Sequence, residues 1–172
     1  MRQFIWFKLF MGLALLSSAS GWAADPQRYP IPDVESKSKY LEEHAIDVED
    51  ALGHQARIYR LRYEYPNRDL KFLNVPVKES YTTGMSDYTN GSGGFKTYTV
   101  YVMEDGNKVY AHGTGDTHAS PDGGRSFSFT NNFSGGTGPF KGMRGQVRGS
   151  GSRAAGASTL SQEATGEYWI EE

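Results

Sequence analysis

Two histidines and an aspartate, spaced by even intervals, are the residues of this chain best placed for chemistry. In an extended segment from Lys108 to Ala119, alternate side chains point to opposite sides. One face would carry Tyr110, His112, Thr114, Asp116 and His118, and the other Val109, Ala111, Gly113, Gly115 and Thr117. Side chains two apart on a strand stand about 6.6 Å from each other, so Asp116 and His118 could share a proton or a cation. Asp116 could also orient either His118 or His112 as a general base. Two imidazole nitrogens and one carboxylate would make a cation site with an open position. The same residue types belong equally on the solvent face of a half-buried strand, and alternation alone leaves open which set points inward. His112, Asp116 and His118 are therefore candidate catalytic residues, and with Tyr98 and Tyr110 candidate ligand contacts. No metal or cofactor is assigned. His44, beside Glu43 and Asp47 in the expected helix, and His54, just after it, read as surface groups.

The elements that must position these residues are mostly strands. Tyr59, Leu61, Tyr63 and Tyr65 alternate with Arg60, Arg62 and Glu64, a half-buried strand ended by Pro66-Asn67-Arg68-Asp69. Leu70 to Thr83 is extended but interrupted by Pro76, which lacks a ladder donor. Asn90 to Gly94 reads as a flexible loop. Phe95–Met103 and Lys108–Thr117 form a hairpin around Glu104-Asp105-Gly106-Asn107. Ser126–Phe133, with Phe127, Phe129 and Phe133 on one face, precedes two further strands, Gln146–Arg153 and Ser161–Ile170. Before all of these, Leu41, Ala45, Val48 and Leu52 fall at helical spacing, which predicts a short amphipathic helix over 38–52, capped by Ser38 and ended by Gly53. Seven or eight antiparallel strands at regular spacing predict an all-β fold, a sandwich or a closed barrel, and closure, which removes exposed edges, favours a single antiparallel eight-stranded barrel. The aromatic residues would form its wall, whether they fill a core or line a pocket.

Composition limits the function further. At 172 residues there is room for one domain. The 21 glycines follow no triplet period and favour tight turns. There is no cysteine, which removes disulfides and thiolate chemistry together. No Gly-x-Ser-x-Gly elbow, His-Glu-x-x-His or nucleotide fingerprint is present. Residues 1–23 have the layout of a secretory signal: Arg2 and Lys8, an apolar run too short to span a bilayer, then Gly21-Trp22-Ala23 before a cut ahead of Ala24. Loss of Arg2 and Lys8 leaves 16 basic against 20 acidic side chains, a net charge of −4, which offers nothing to nucleic acid. The expected order is signal peptide 1–23, proline-rich extended lead-in 24–37, and barrel domain 38–172 with its helix. No transmembrane segment remains after cleavage, and the expected location is secreted or periplasmic.

The most distinctive stretch is Gly135-Gly136-Thr137-Gly138-Pro139-Phe140-Lys141-Gly142-Met143-Arg144-Gly145. Physically it is a strand end, a glycine-rich reversal and a new strand, with Phe140 as an apolar plug. It resembles the Gly-Gly-(Thr/Ser)-Gly-x-Phe-x-Gly-x-x-Gly element of the allene oxide cyclase and dirigent superfamily of barrels, and Asp105 to Tyr110 is similar to the preceding hairpin of that family. The resemblance covers roughly residues 95–150. It implies an eight-stranded barrel in which Gly135, Gly136, Gly138, Phe140, Gly142 and Gly145 form a structural turn, and it transfers no catalytic residue. The expected function is binding of a small apolar or aromatic molecule. An isomerase or cyclase acting on such a ligand, or a non-catalytic envelope or assembly protein with a filled barrel, stands beside it, and a homo-oligomer is compatible with each.

Overall fold

A computed structural model describes residues 34–171 as nine antiparallel strands and no α-helix. The strands are β1 (Val34–Asp47), β2 (His54–Glu64), β3 (Lys71–Phe72), β4 (Val75–Thr89), β5 (Ser92–Met103), β6 (Lys108–Ala119), β7 (Arg125–Gly136), β8 (Met143–Arg153) and β9 (Thr159–Ile170). Their order is β2-β1-β9-β8-β7-β6-β5-β4-β3, and β2 also pairs with β4, so eight strands close in a ring while the short β3 hangs on β4. The expected signal peptide 1–23, its cut before Ala24 and most of the lead-in 24–37 lie outside the described residues.

The helix expected over 38–52 is not there, because residues 34–47 form β1. Leu41 is an extra residue in the ladder: Tyr40 faces Leu61 and Glu42 faces Arg60, so the strand changes phase at this bulge. Before it Ser36, Ser38 and Tyr40 face inward; after it Glu43 and Ala45 do. Such a break destroys the two-residue period, and the leftover apolar positions imitate helical spacing. They gain little from burial here, as Leu41, Val48 and Leu52 are all exposed. The expected loop over Asn90 to Gly94 is also shorter in fact. Asn90 and Gly91, with φ of 51° and 80°, make a two-residue reversal, and Ser92 to Gly94 already belong to β5.

The ring is not uniform along its axis. Turns 65–74, 104–107 and 137–142 gather at one end, and turns 48–53, 90–91, 120–124 and 154–158 at the other. The first end is filled. Phe72 is 1% exposed and meets Tyr101, Phe133 and Tyr168 edge-on at centroid distances of 5.4, 5.3 and 5.5 Å. Val77, Met103, Val109, Phe140 and Met143 complete this apolar plug. The chain reaches it through a tight reversal in which Leu73 and Asn74 both have positive φ (47° and 65°), a costly conformation for leucine. Donation from the Leu73 N–H to the Tyr168 hydroxyl at 2.8 Å holds the reversal in place.

Closure between β1 and β9 is brief. Among the described residues Val34–Lys37 pair with Thr159–Gln162, the Ser38 N–H donates to the Ser158 carbonyl at 3.0 Å, and from Lys39 to Asp47 β1 pairs with β2 alone. The plug therefore does much of the work of holding the ring shut. Phe72→Ala is expected to cost about 3–5 kcal/mol, the usual penalty for emptying a packed aromatic site. Urea unfolding checks it: the midpoint should fall with an unchanged slope.

Candidate functional site

Above the plug the inward faces of the strands leave a cavity of about 180 Å³, opening toward the end that carries turns 120–124 and 154–158. It is walled by rings, hydroxyls and a few larger polar groups, among them Tyr40, Tyr59, Tyr63, Tyr88, Phe95, Phe127 and Phe129. A smaller cavity of about 70 Å³ shares Tyr65, Tyr101, Phe129, Asn131 and Gln162 with it and continues toward Phe72.

The space exists because of how the rings lie. Four inward aromatics face glycine directly across the ladder: Tyr59 with Gly84, Phe95 with Gly115, Phe127 with Gly151, and Phe129 with Gly149. Each ring rests on its glycine. A Cβ added at Gly84 would stand 2.3 Å from Tyr59 Cζ, and one added at Gly115, Gly151 or Gly149 would lie 2.4, 2.5 or 2.6 Å from the facing ring. The missing side chain lets the ring fold flat along the wall instead of projecting into the centre. The glycines that composition assigned to turns are thus partly wall elements.

Hydroxyl groups along the wall are tied to one another. Tyr65 Oη lies 2.7 Å from Ser80 Oγ, Thr82 Oγ1 2.9 Å from Thr99 Oγ1, and Tyr88 Oη 2.9 Å from Thr117 Oγ1. Burial pushes the Tyr101 phenol up to about 12, and burial likewise holds Tyr59, Tyr63 and Tyr65 above the ordinary tyrosine value. These phenols stay neutral at physiological pH and act as hydrogen-bonding groups, not bases. The described lining of the cavity holds no His, Asp, Glu or Lys. It can bind, orient and exclude water, but it has no side chain able to take up a proton near neutrality.

The residues singled out from spacing lie elsewhere. On β6 it is Val109, Ala111, Gly113, Gly115 and Thr117 that face inward, and Tyr110, His112, Thr114, Asp116 and His118 that face outward. His112, Asp116 and His118 are exposed, Tyr110 is half-buried, and Tyr98 is 61% exposed on the outside of β5, opposite His112. None of the five lines the interior cavity. Asp116 instead borders a wide depression on the outer surface with Lys96, Thr114 and Arg148. Among the described residues, no three His, Cys, Asp or Glu side chains are grouped to hold a metal ion. Nor is any helix of the described residues long and apolar enough to cross a membrane, which says nothing of strands.

What spacing missed is the inward set on β7 and β8. Phe127 and Phe129 were visible as one face of a strand. Their partners Gly149 and Gly151 were not, since a glycine in a strand carries no period of its own. The reversal over 135–145 sits at the plugged end. Gly138, at φ 55°, opens a single 3-10 turn through Phe140, whose side chain is fully buried. A side chain at Gly142 would collide with the Glu171 carbonyl at 1.8 Å. Thr137 joins this turn to the β5–β6 hairpin, with its hydroxyl accepting from the Lys108 N–H at 2.8 Å and donating to Asn107 Oδ1 at 3.1 Å.

His54, read from sequence as a surface group, lies on the outer rim between two carboxylates. Its Nδ1 donates to Asp50 and its Nε2 to Asp87, the latter at 2.6 Å, which joins the β1–β2 turn to β4. Both nitrogens can donate only when the imidazole is protonated. The hydrogen bonds to Asp87 and then Asp50 raise its pKa above 6.5.

The described residues define an antiparallel, all-β ring with one end filled and the other opening on an aromatic- and hydroxyl-lined cavity. No protein-family model, curated protein or solved structure matches the chain.

Because folding raises the His54 pKa, its stabilising contribution is complete below pH 6.5 and is lost as pH climbs through the raised value. NMR titration of the imidazole should give a midpoint above 6.5. Amide exchange in residues 47–54, corrected for intrinsic rates, should quicken above that midpoint, and His54→Gln should abolish the step.

Proposed function

We propose that this chain is an exported protein whose ring of strands is a barrel of the allene oxide cyclase and dirigent type, and that it binds one small ring-bearing molecule in the open end. The observation that carries this is the cavity itself, about 180 Å³ in volume, kept open by rings laid flat on glycines. Its size selects the ligand class. An apolar cavity of about 150 Å³ admits benzene, whereas drug-sized molecules need roughly 300–1,000 Å³. A single aromatic ring with one or two substituents fits, and a long acyl chain does not. The hydroxyl-bearing wall suits a substituted ring better than a bare hydrocarbon.

Two features favour binding over the other readings. Without a proton-accepting side chain in the described lining, an isomerase or cyclase would have to act by conformation alone. An envelope or assembly protein with a solid interior would not need inward glycines beneath four rings of the upper wall. The resemblance of residues 135–145 supports the barrel type, and the layout of residues 1–23 supports export.

Titration with p-cresol, followed by calorimetry and by chemical-shift changes at the cavity wall, tests the binding. A dissociation constant on the order of 0.1–1 mM is expected for so small a probe. Thr97 lines the cavity between Gly84 and Gly113 in the ladder, so Thr97→Phe should fill the space and abolish binding while the fold persists. If p-cresol binds the variant as well as the native protein, the cavity is not the site. For export, intact mass of protein recovered from outside the cytoplasm should match a chain beginning at Ala24; retention of residues 1–23 would contradict the signal.

A further inference from the structure

Two guanidinium groups stand at the mouth of this cavity without a counter-charge among the described residues. Arg125 opens β7 and Arg153 closes β8, and the two are directly opposite in the ladder. Both lie on the inward face with Phe127 and Phe129, and both line the cavity. Each is only half-buried, so each guanidinium has solvent on one side and the cavity on the other.

Like charges placed directly across an antiparallel pair repel, and a fold ordinarily separates them or sets a carboxylate between them. Here no carboxylate among the described residues is set between them. Arg57, the third inward arginine, is paired with Glu43 and packs over the rings of Tyr59 and Tyr88, at 5.9 and 5.6 Å from their centroids. Arg62, Arg68 and Arg144 also have carboxylate partners. Arg125 and Arg153 have none among the described residues. The chain as a whole is net acidic, at −2, so this is not the overflow of a basic protein. Arg153 is also near enough for its charge to act on the buried Tyr63 hydroxyl, which sets it against the inner wall and not out in solvent.

We propose that Arg125 and Arg153 receive the carboxylate of the ligand, so that the molecule bound in the cavity is an aromatic carboxylic acid with its ring between the tyrosines and its acid at the mouth. The guanidinium fork matches a planar carboxylate in two parallel hydrogen bonds, and two forks can donate to both of its oxygens. An anion at the mouth would supply the counter-charge that neither arginine has among the described residues. The volume is consistent: one ring and one carboxylate occupy what the cavity and its mouth provide.

This inference rests on the cavity being a ligand site, and its test separates the two. Benzoate, benzamide and benzylamine share one ring and nearly one shape, and carry an anionic, a neutral and a cationic group. By calorimetry the native protein should bind benzoate at least tenfold more tightly than benzamide, and benzylamine least of all. Arg125→Met and Arg153→Met should each weaken benzoate at least tenfold and leave benzamide within twofold. Neither variant should melt far below the native protein, because neither arginine has a carboxylate partner to lose among the described residues. If benzamide binds as well as benzoate, the cavity is a ligand site but the arginine pair is not its anion site. If none of the three binds, the ligand reading and the arginine assignment fall together.

Discussion

Four aromatic side chains lie flat against four glycines on the facing strands, and from this contact follow the shape of the interior and what can enter it. A ring on an inward strand position ordinarily points to the axis, where a handful would meet and fill an eight-stranded ring. With Gly84, Gly115, Gly149 and Gly151 opposite Tyr59, Phe95, Phe129 and Phe127, the rings fold sideways and the axis stays open. Each glycine weakens its strand by loss of side-chain contact and by added chain entropy. The facing ring offsets part of that loss, since it buries the bare backbone. Strand stability and cavity size are thus set by one set of pairs.

The other half of the molecule follows the opposite rule. Around Phe72 the rings do not rest on glycine in this way: Phe133 and Tyr168 both face Gly145 across the ladder, yet they project inward to meet Phe72 edge-on. The filled end carries the apolar packing, which allows the open end to hold hydroxyls and unpaired arginines. Polar groups there keep their access to water, so the cost of burying them is avoided. A division between a packed half and a solvated half is what lets a domain without disulfides keep a cavity. The bulge at Leu41 contributes by turning Glu43 inward, where it meets Arg57 and leaves Arg125 and Arg153 as the unpaired inward arginines.

Much of the strand content was legible in the residues. The alternation in 57–65, the hairpin around 104–107 and the Phe127–Phe129–Phe133 face all became strands close to their expected bounds. The failures have definite causes. One extra residue at Leu41 shifted the phase of β1, and the broken alternation passed for a helix. Asn90 to Gly94 passed for a loop because Gly93 and Gly94 have no side chain to show a period. The site was less legible still. His112, Asp116 and His118 attract attention by residue type, yet they stand outside, while the cavity is built from tyrosine, threonine, phenylalanine and glycine, which are unremarkable in any strand.

By itself the sequence determined that this chain alternates with period two, that it turns at 104–107 and again between 135 and 145, and that polar and apolar residues divide cleanly on β6. Those are local properties, set by side-chain direction and by the conformations glycine and asparagine allow. Which face of β6 points inward was decided only when β2 paired with both β1 and β4 and closed the ring, because inside and outside do not exist for a single strand. The same closure placed Tyr59 over Gly84, and the β7–β8 register set Arg125 beside Arg153. Pairs 25 or more residues apart in the chain leave no mark on either partner alone.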